Sequence, residues 1–156
     1  MDNIHDVEWL RNVIHEAICG YLNENKIKAE HRALTPDELL EYDIAAVDCS
    51  KYDSDILAKS LARIMSKLKV TSEKNSDFYC GITNDVVARK SSHESQDYDG
   101  KKIEWMVSFK CDSVQTAAEV EEFMNTIWGV SRGKTTTFAN GAAPDSDFVY
   151  FYRIPR

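Results

Sequence analysis

The stretch Phe78-Tyr79-Cys80-Gly81-Ile82-Thr83-Asn84-Asp85-Val86-Val87-Ala88-Arg89-Lys90-Ser91-Ser92-His93 decides how this chain folds. Residues 78–83 have the aromatic and β-branched character of a strand. Asn84-Asp85 ends it, and Thr83 or Asp85 can cap a helix over 85–93. Arg89 and His93 are four apart, so they share one helix face. With Tyr79 directed from the strand toward that face, a phenol, a guanidinium and an imidazole converge. That set suits phosphodiester hydrolysis. Arginine stabilises phosphate charge, and tyrosine or histidine handles the proton of an attacking water.

Downstream, residues 92–102 are polar and read as a loop. Ile103, Trp105, Val107 and Phe109 then alternate with other residues, which predicts a half-buried strand over 103–110. A helix follows over 114–128, with Val120, Phe123, Met124 and Ile127 inward. Residues 129–147 form a long loop with Gly129, Gly133 and Gly141, and loops of that length are usually functional or mobile. Phe148-Val149-Tyr150-Phe151-Tyr152 is a last strand. Upstream, residues 70–77 are polar and without periodicity, and mark a boundary. Before them come a helix over 54–69 and a short helix started by Thr35-Pro36-Asp37-Glu38, where a cap, a first-turn proline and a capping-box glutamate coincide. An amphipathic helix spans 6–24. The expected class is α+β: a helical region over 1–77, then a β-α-β-α-β core over 78–156 with a three-stranded, mainly antiparallel sheet.

The chain has 156 residues with a net charge of −7. That length suits one domain able to bury a core without metal or disulfide staples. The acidic balance counts against a protein that lives by nonspecific phosphate binding. The second half is nearer neutrality, so a phosphate site belongs there. Cys19, Cys49, Cys80 and Cys111 form no close pair of the zinc-binding kind, and read as buried thiols in a reducing compartment. No leader and no membrane span are apparent, which suggests a cytoplasmic protein. Lys59, Arg63 and Lys67 make a basic stripe that reads as a solvated helix face.

The segment Tyr79-x-Gly81-x-Thr83, with Arg89 and His93 behind it, resembles the second half of the GIY-YIG nuclease signature. The resemblance covers residues 78–128 and extends loosely to 141. It implies catalytic roles for Tyr79, Arg89 and His93, and a divalent metal, Mg²⁺ or Mn²⁺, on a glutamate of the 114–128 helix. Glu121 is the better match for that ligand and Glu122 its competitor; Asn140 matches a late asparagine of some members. The family's opening Gly-Ile-Tyr strand has no counterpart before Phe78. The terminal strand could pair beside 78–83 and supply Tyr150 or Tyr152 in its place, a permuted order; otherwise the first tyrosine is missing and the site is degenerate.

Two functions follow. One is a divergent GIY-YIG-like, metal-dependent endonuclease acting on DNA phosphodiesters. Tyr79 and Tyr150 would be its phenols, Arg89 and His93 its phosphate and proton groups, and Lys90, Arg132 and Lys134 further phosphate contacts. The alternative is a non-cleaving protein on the same scaffold that binds a nucleotide-like small molecule or a partner protein. The N-terminal helices are candidates for a homodimer contact.

Overall fold

A computed structural model describes residues 9–14, 16–17, 43–131 and 145–156. Strand β1 (Ile44–Asp48) opens the described central segment, and five residues after its end Asp53 begins a helix. Its carboxylate accepts from the Ile56 amide at 3.0 Å, one turn into helix α1 (Ser54–Leu68). Leu57, Leu61, Ile64, Met65 and Leu68 are buried along one side of α1. On the other side, Lys59 pairs with Asp55 at 3.2 Å and Lys67 with Glu16 at 3.7 Å, so two members of the basic stripe lie in exposed ion pairs.

Strand β2 (Phe78–Thr83) leads into helix α2 (Val86–Ser92). Of the two candidate caps, Asp85 takes the role, accepting from Ala88 N at 3.1 Å, while Thr83 Oγ1 accepts from Asp85 N at 3.1 Å. Helix α2 runs into one wider π-helical turn, His93–Asp97. Strand β3 (Met106–Lys110), helix α3 (Val114–Thr126) and strand β4 (Phe148–Arg153) complete the order.

The four strands form one sheet in the order β1-β3-β4-β2. Strand β4 is antiparallel to both β3 and β2, and β1 is parallel to β3. The α+β class stands, but the sheet is four-stranded and mixed. The added strand comes from Ile44-Ala45-Ala46-Val47, inside the region expected to be helical. This run is apolar at every position and lacks period-two alternation, because it is buried on both sides, as parallel strands are. The sheet thus crosses position 77. Strand β3 is also shorter than expected, since Ile103 and Trp105 are buried ahead of its first ladder residue.

The polar stretch 70–77 contains a single 3₁₀ turn (Asn75–Asp77) and is tied to the core. Glu73 accepts from Arg153 Nε at 2.6 Å and Nη2 at 3.2 Å, and Arg153 also donates to Leu68 O at 2.7 Å. Burial works to raise the Glu73 pKa, but its bonds to Arg153 and the Val70 amide outweigh this and hold it below the ordinary carboxylate value. The start of the 35–38 helix lies outside the described residues. Residues 9–14 and 16–17 are helical. Leu10, Ile14 and Ala17 belong to the same buried cluster as the sheet and α1.

Candidate functional site

Alternation along β2 sends Tyr79 and Gly81 to one face and Phe78 and Cys80 to the other. The ladder with β4 sets Tyr79 opposite Tyr152 and Gly81 opposite Tyr150. The terminal strand therefore does pair beside 78–83, and brings two more phenols onto the Tyr79 face. The Tyr79 ring lies 6.0 Å from Tyr150 and 5.1 Å from Tyr152, near-parallel to both. Gly81 makes the close approach to Tyr150 feasible: a Cβ there would stand 2.6 Å from the Tyr150 hydroxyl oxygen and 2.7 Å from its Cζ.

His93, at the junction of α2 and the π turn, closes over these rings. Its Nε2 is 2.8 Å from the Tyr150 hydroxyl, and its ring meets Tyr79 edge-on at 4.8 Å. Its Nδ1 is 2.7 Å from an Asp97 carboxylate oxygen. A carboxylate only accepts, so Nδ1 carries a hydrogen and the neutral imidazole accepts the Tyr150 hydroxyl hydrogen at Nε2. Burial pushes the His93 pKa down, with Arg89 acting in the same sense and Asp97 opposing. The imidazole is accordingly neutral near neutral pH.

The phenols differ in access. Tyr150 is 2% exposed and Tyr79 is half-buried. Burial raises the Tyr79 pKa to about 12, aided by the charge of Glu121 and opposed by the Tyr150 hydroxyl. Burial and the neighbouring Tyr79 push Tyr150 up as well, against the pull of Arg89. Arg89 itself is half-buried, and its guanidinium is close enough to influence both Tyr150 and His93. Among the described residues it makes no ion pair.

Helix α3 starts from a Ser113 cap, whose Oγ accepts from Thr116 N at 3.2 Å, and buries Ala117, Val120 and Met124. Glu121 is half-buried, and its charge raises the pKa of both Tyr79 and Cys80, which places it near β2. Glu122 is exposed and lines an outer groove with Glu119, Phe123 and Ile127, so the two glutamates serve different surfaces. After α3 the chain returns along β2, Ser131 N donating to Phe78 O at 2.9 Å and Cys80 N to Ser131 O at 3.1 Å. Arg132, Lys134 and Asn140 lie outside the described residues.

Lys90 is a correction. Expected to face phosphate, it is 5% exposed and its ammonium pairs with Glu94 at 3.0 Å. Glu94 also accepts from Ile103 N at 2.8 Å, so this pair fastens α2 to the approach of β3. Two residues of the site escaped the sequence reading. They are Asp97 and Tyr98, whose hydroxyl is 2.7 Å from that of Tyr152. Both fall in a stretch read as loop, and only the four-residue spacing of Asp97 from His93 pointed to it.

Among the described residues, no group of three or more His, Cys, Asp or Glu side chains is gathered as for a metal ion. None of their helices is long and apolar enough to cross a membrane. No protein-family model, curated protein or solved structure matches the chain.

Proposed function

We propose that this chain is a divergent GIY-YIG-like nuclease with a permuted strand order, in which Tyr150 takes the place of the missing first tyrosine. The observation that carries this is Tyr150 directly opposite Gly81 with its hydroxyl 2.8 Å from His93 Nε2. A tyrosine on the strand beside Tyr79, bonded to the histidine one turn beyond Arg89, is what the family resemblance calls for.

The chemistry runs from the open side of the cluster inward. An attacking water hydrogen-bonds to Tyr79, the more accessible phenol. As Tyr79 takes the water's hydrogen it gives its own to the Tyr150 oxygen, and Tyr150 gives its hydrogen to His93 Nε2. Neutral His93 is the terminal acceptor of that proton, because a phenol raised to about 12 retains no proton vacancy of its own near neutral pH. Arg89 grips the phosphate with two parallel hydrogen bonds and stabilises its developing charge.

Glu121 is the residue that would hold Mg²⁺ or Mn²⁺. One carboxylate, completed by waters and the substrate phosphate, is a coordination Mg²⁺ accepts, and Glu121, whose charge reaches Tyr79, fits that mode. When bound, such an ion neutralises phosphate charge and assists the leaving oxygen.

A second reading has its own support. Tyr150 is 2% exposed, a depth that suits a structural phenol under a phosphate-binding face as well as a proton carrier. In that reading Arg89 and Tyr79 bind a nucleotide-like ligand without cutting it. The test is incubation of supercoiled plasmid with the full chain and Mg²⁺ or Mn²⁺. Metal-dependent nicking that is lost in Tyr150→Phe and Arg89→Ala supports the nuclease. A purified, folded chain that leaves the plasmid intact while retaining Arg89-dependent nucleotide binding replaces it with the binding reading.

A further inference from the structure

We infer that Asp97 is a positioning residue that selects the tautomer of His93, keeping Nε2 bare to receive the Tyr150 proton. The inference rests on the proton path proposed above.

A neutral imidazole carries its one hydrogen on either nitrogen. With the hydrogen on Nε2, His93 would donate to the Tyr150 oxygen and could accept nothing from it. The contact at Nδ1 decides between the two forms. The Asp97 oxygen is 2.7 Å away, and Asp97 is the one side chain bonded to that nitrogen among the described residues. Asp97 can act from outside the buried cluster. Its side chain is 55% exposed, whereas that of His93 is 7% exposed. The carboxylate therefore stays solvated while fixing a ring that is not.

The backbone is shaped for this contact. Residues 93–97 form a π-helical turn in place of a further α-turn. Such turns are rare and occur as single local widenings, frequently at functional sites. Here the turn brings Asp97 back onto His93 and delivers Tyr98 to Tyr152 at 2.7 Å. The other groups facing the imidazole are Arg89 from its own helix, Tyr98 from the end of the π turn, Tyr79 from β2, and Tyr150 and Tyr152 from β4. None of these offers an acceptor to Nδ1 in the described structure. A carboxylate that acted only as a nearby charge would shift the titration of His93 but leave its tautomer unchanged.

The test reads His93 directly, by long-range proton–nitrogen NMR of the full chain without substrate, with the His93 signals assigned by their loss in His93→Gln. In the parent protein the neutral ring should show hydrogen on Nδ1 and none on Nε2. Asp97→Ala should populate the other tautomer and move the titration of His93 to lower pH. Asp97→Asn keeps an acceptor but no charge, so it should retain the parent tautomer and still titrate lower; it also serves if Asp97→Ala fails to fold. In plasmid cleavage, Asp97→Ala should lower kcat by about tenfold or more and move the acidic limb of the pH profile down. Unchanged tautomer and titration in Asp97→Ala, or an unchanged titration in a folded Asp97→Asn where Asp97→Ala does not fold, overturns the inference. Because the spectrum needs no turnover, a parent protein that does not cleave removes the nuclease reading alone, and the NMR result still decides the role of Asp97.

Discussion

Replacing Gly81 with alanine should break the Tyr150–His93 contact without substituting either residue. The added Cβ would stand 2.6 Å from the Tyr150 oxygen and 2.7 Å from its Cζ, and ordinary contact begins at 3.4 Å. The phenol must therefore move by about 0.8 Å. Toward the imidazole it is blocked, since Nε2 already lies at 2.8 Å. Away from it, the same shift opens the bond to a length at which it no longer counts as one. Tyr150 is 2% exposed and stacks on Tyr79 and Tyr152, so its ring has little room to swing aside. Overpacking of this kind costs about 1–3 kcal/mol, and the lost hydrogen bond about 1 kcal/mol more. Alanine restricts the unfolded chain, which returns about 0.5–1 kcal/mol. The net expectation is a destabilisation of about 1–3 kcal/mol. Denaturant unfolding measures it, and the His93 nitrogen signals report the broken contact. Adding Tyr150→Ala removes the obstacle, so in the double variant Gly81→Ala should cost nothing further or become stabilising. A Gly81→Ala protein as stable as the parent, with its His93 signals unmoved, would refute the reasoning.

Other perturbations separate site from scaffold. Arg89→Lys should impair cleavage or nucleotide binding nearly as much as Arg89→Ala, by about 2–4 kcal/mol, because lysine cannot reproduce two parallel bonds to a phosphate; stability should move by less than about 1 kcal/mol, and loss of the fold would show that Arg89 is structural. In Mn²⁺ titration, Glu121→Gln should abolish binding while Glu122→Gln should not, since Glu122 lies on the outer groove; equal binding in both would remove the metal from Glu121. Glu73→Gln should cost about 2 kcal/mol at neutral pH by weakening the buried pair with Arg153. The Glu73 pKa is lowered on folding, so its contribution is present above the unfolded value of 4.5 and lost as pH falls through the lower folded value; an equal difference between variant and parent at neutral pH and well below 4.5 would contradict that sign. Truncation after Asp147 removes β4, which is hydrogen-bonded to β3 on one side and β2 on the other, and should abolish the cooperative thermal transition; an unchanged transition would contradict the sheet order.

What could be read in the sequence depended on whether local pattern and burial agreed. Strand β2, the Asp85 cap and helix α2 were legible because turn chemistry and spacing both marked them. The pairing of the last strand was legible because its aromatic, β-prone composition suited the opening-strand place of the resembled pattern, which the segment before Phe78 leaves empty. Strand β1 was hidden, since an apolar run buried on both sides has no period to separate strand from helix. Lys90 was misread through its neighbour Arg89. It falls four after Val86 and three before His93, on the stripe of α2 that is buried, whereas Arg89 lies one step round the helix. The π turn was hidden because His93-Glu94-Ser95-Gln96-Asp97 is polar throughout, and polarity marks loops more often than widened helix.

The order of the sheet has a consequence for how site and stability are linked. Strand β4 lies between β3 and β2, and its residues alternate in purpose as well as in direction. Val149 and Phe151 face the side of Phe78 and Cys80, and Phe151 stacks on Phe78 at 5.3 Å. Tyr150 and Tyr152 face Tyr79, His93 and Tyr98. One strand thus holds the core with one set of side chains and the cluster with the other. Tyr79 and Tyr150 are far apart in sequence and meet only when the last strand has entered the sheet, so the cluster cannot assemble from a local fragment. Substitutions at Val149 or Phe151 should lower stability and disturb the cluster only as the sheet itself loosens. Tyr150→Phe removes a single hydroxyl and should leave the stacked rings in place, so it acts on the His93 contact first. That difference makes β4 the strand on which chemistry and folding can be separated by choosing the parity of the residue.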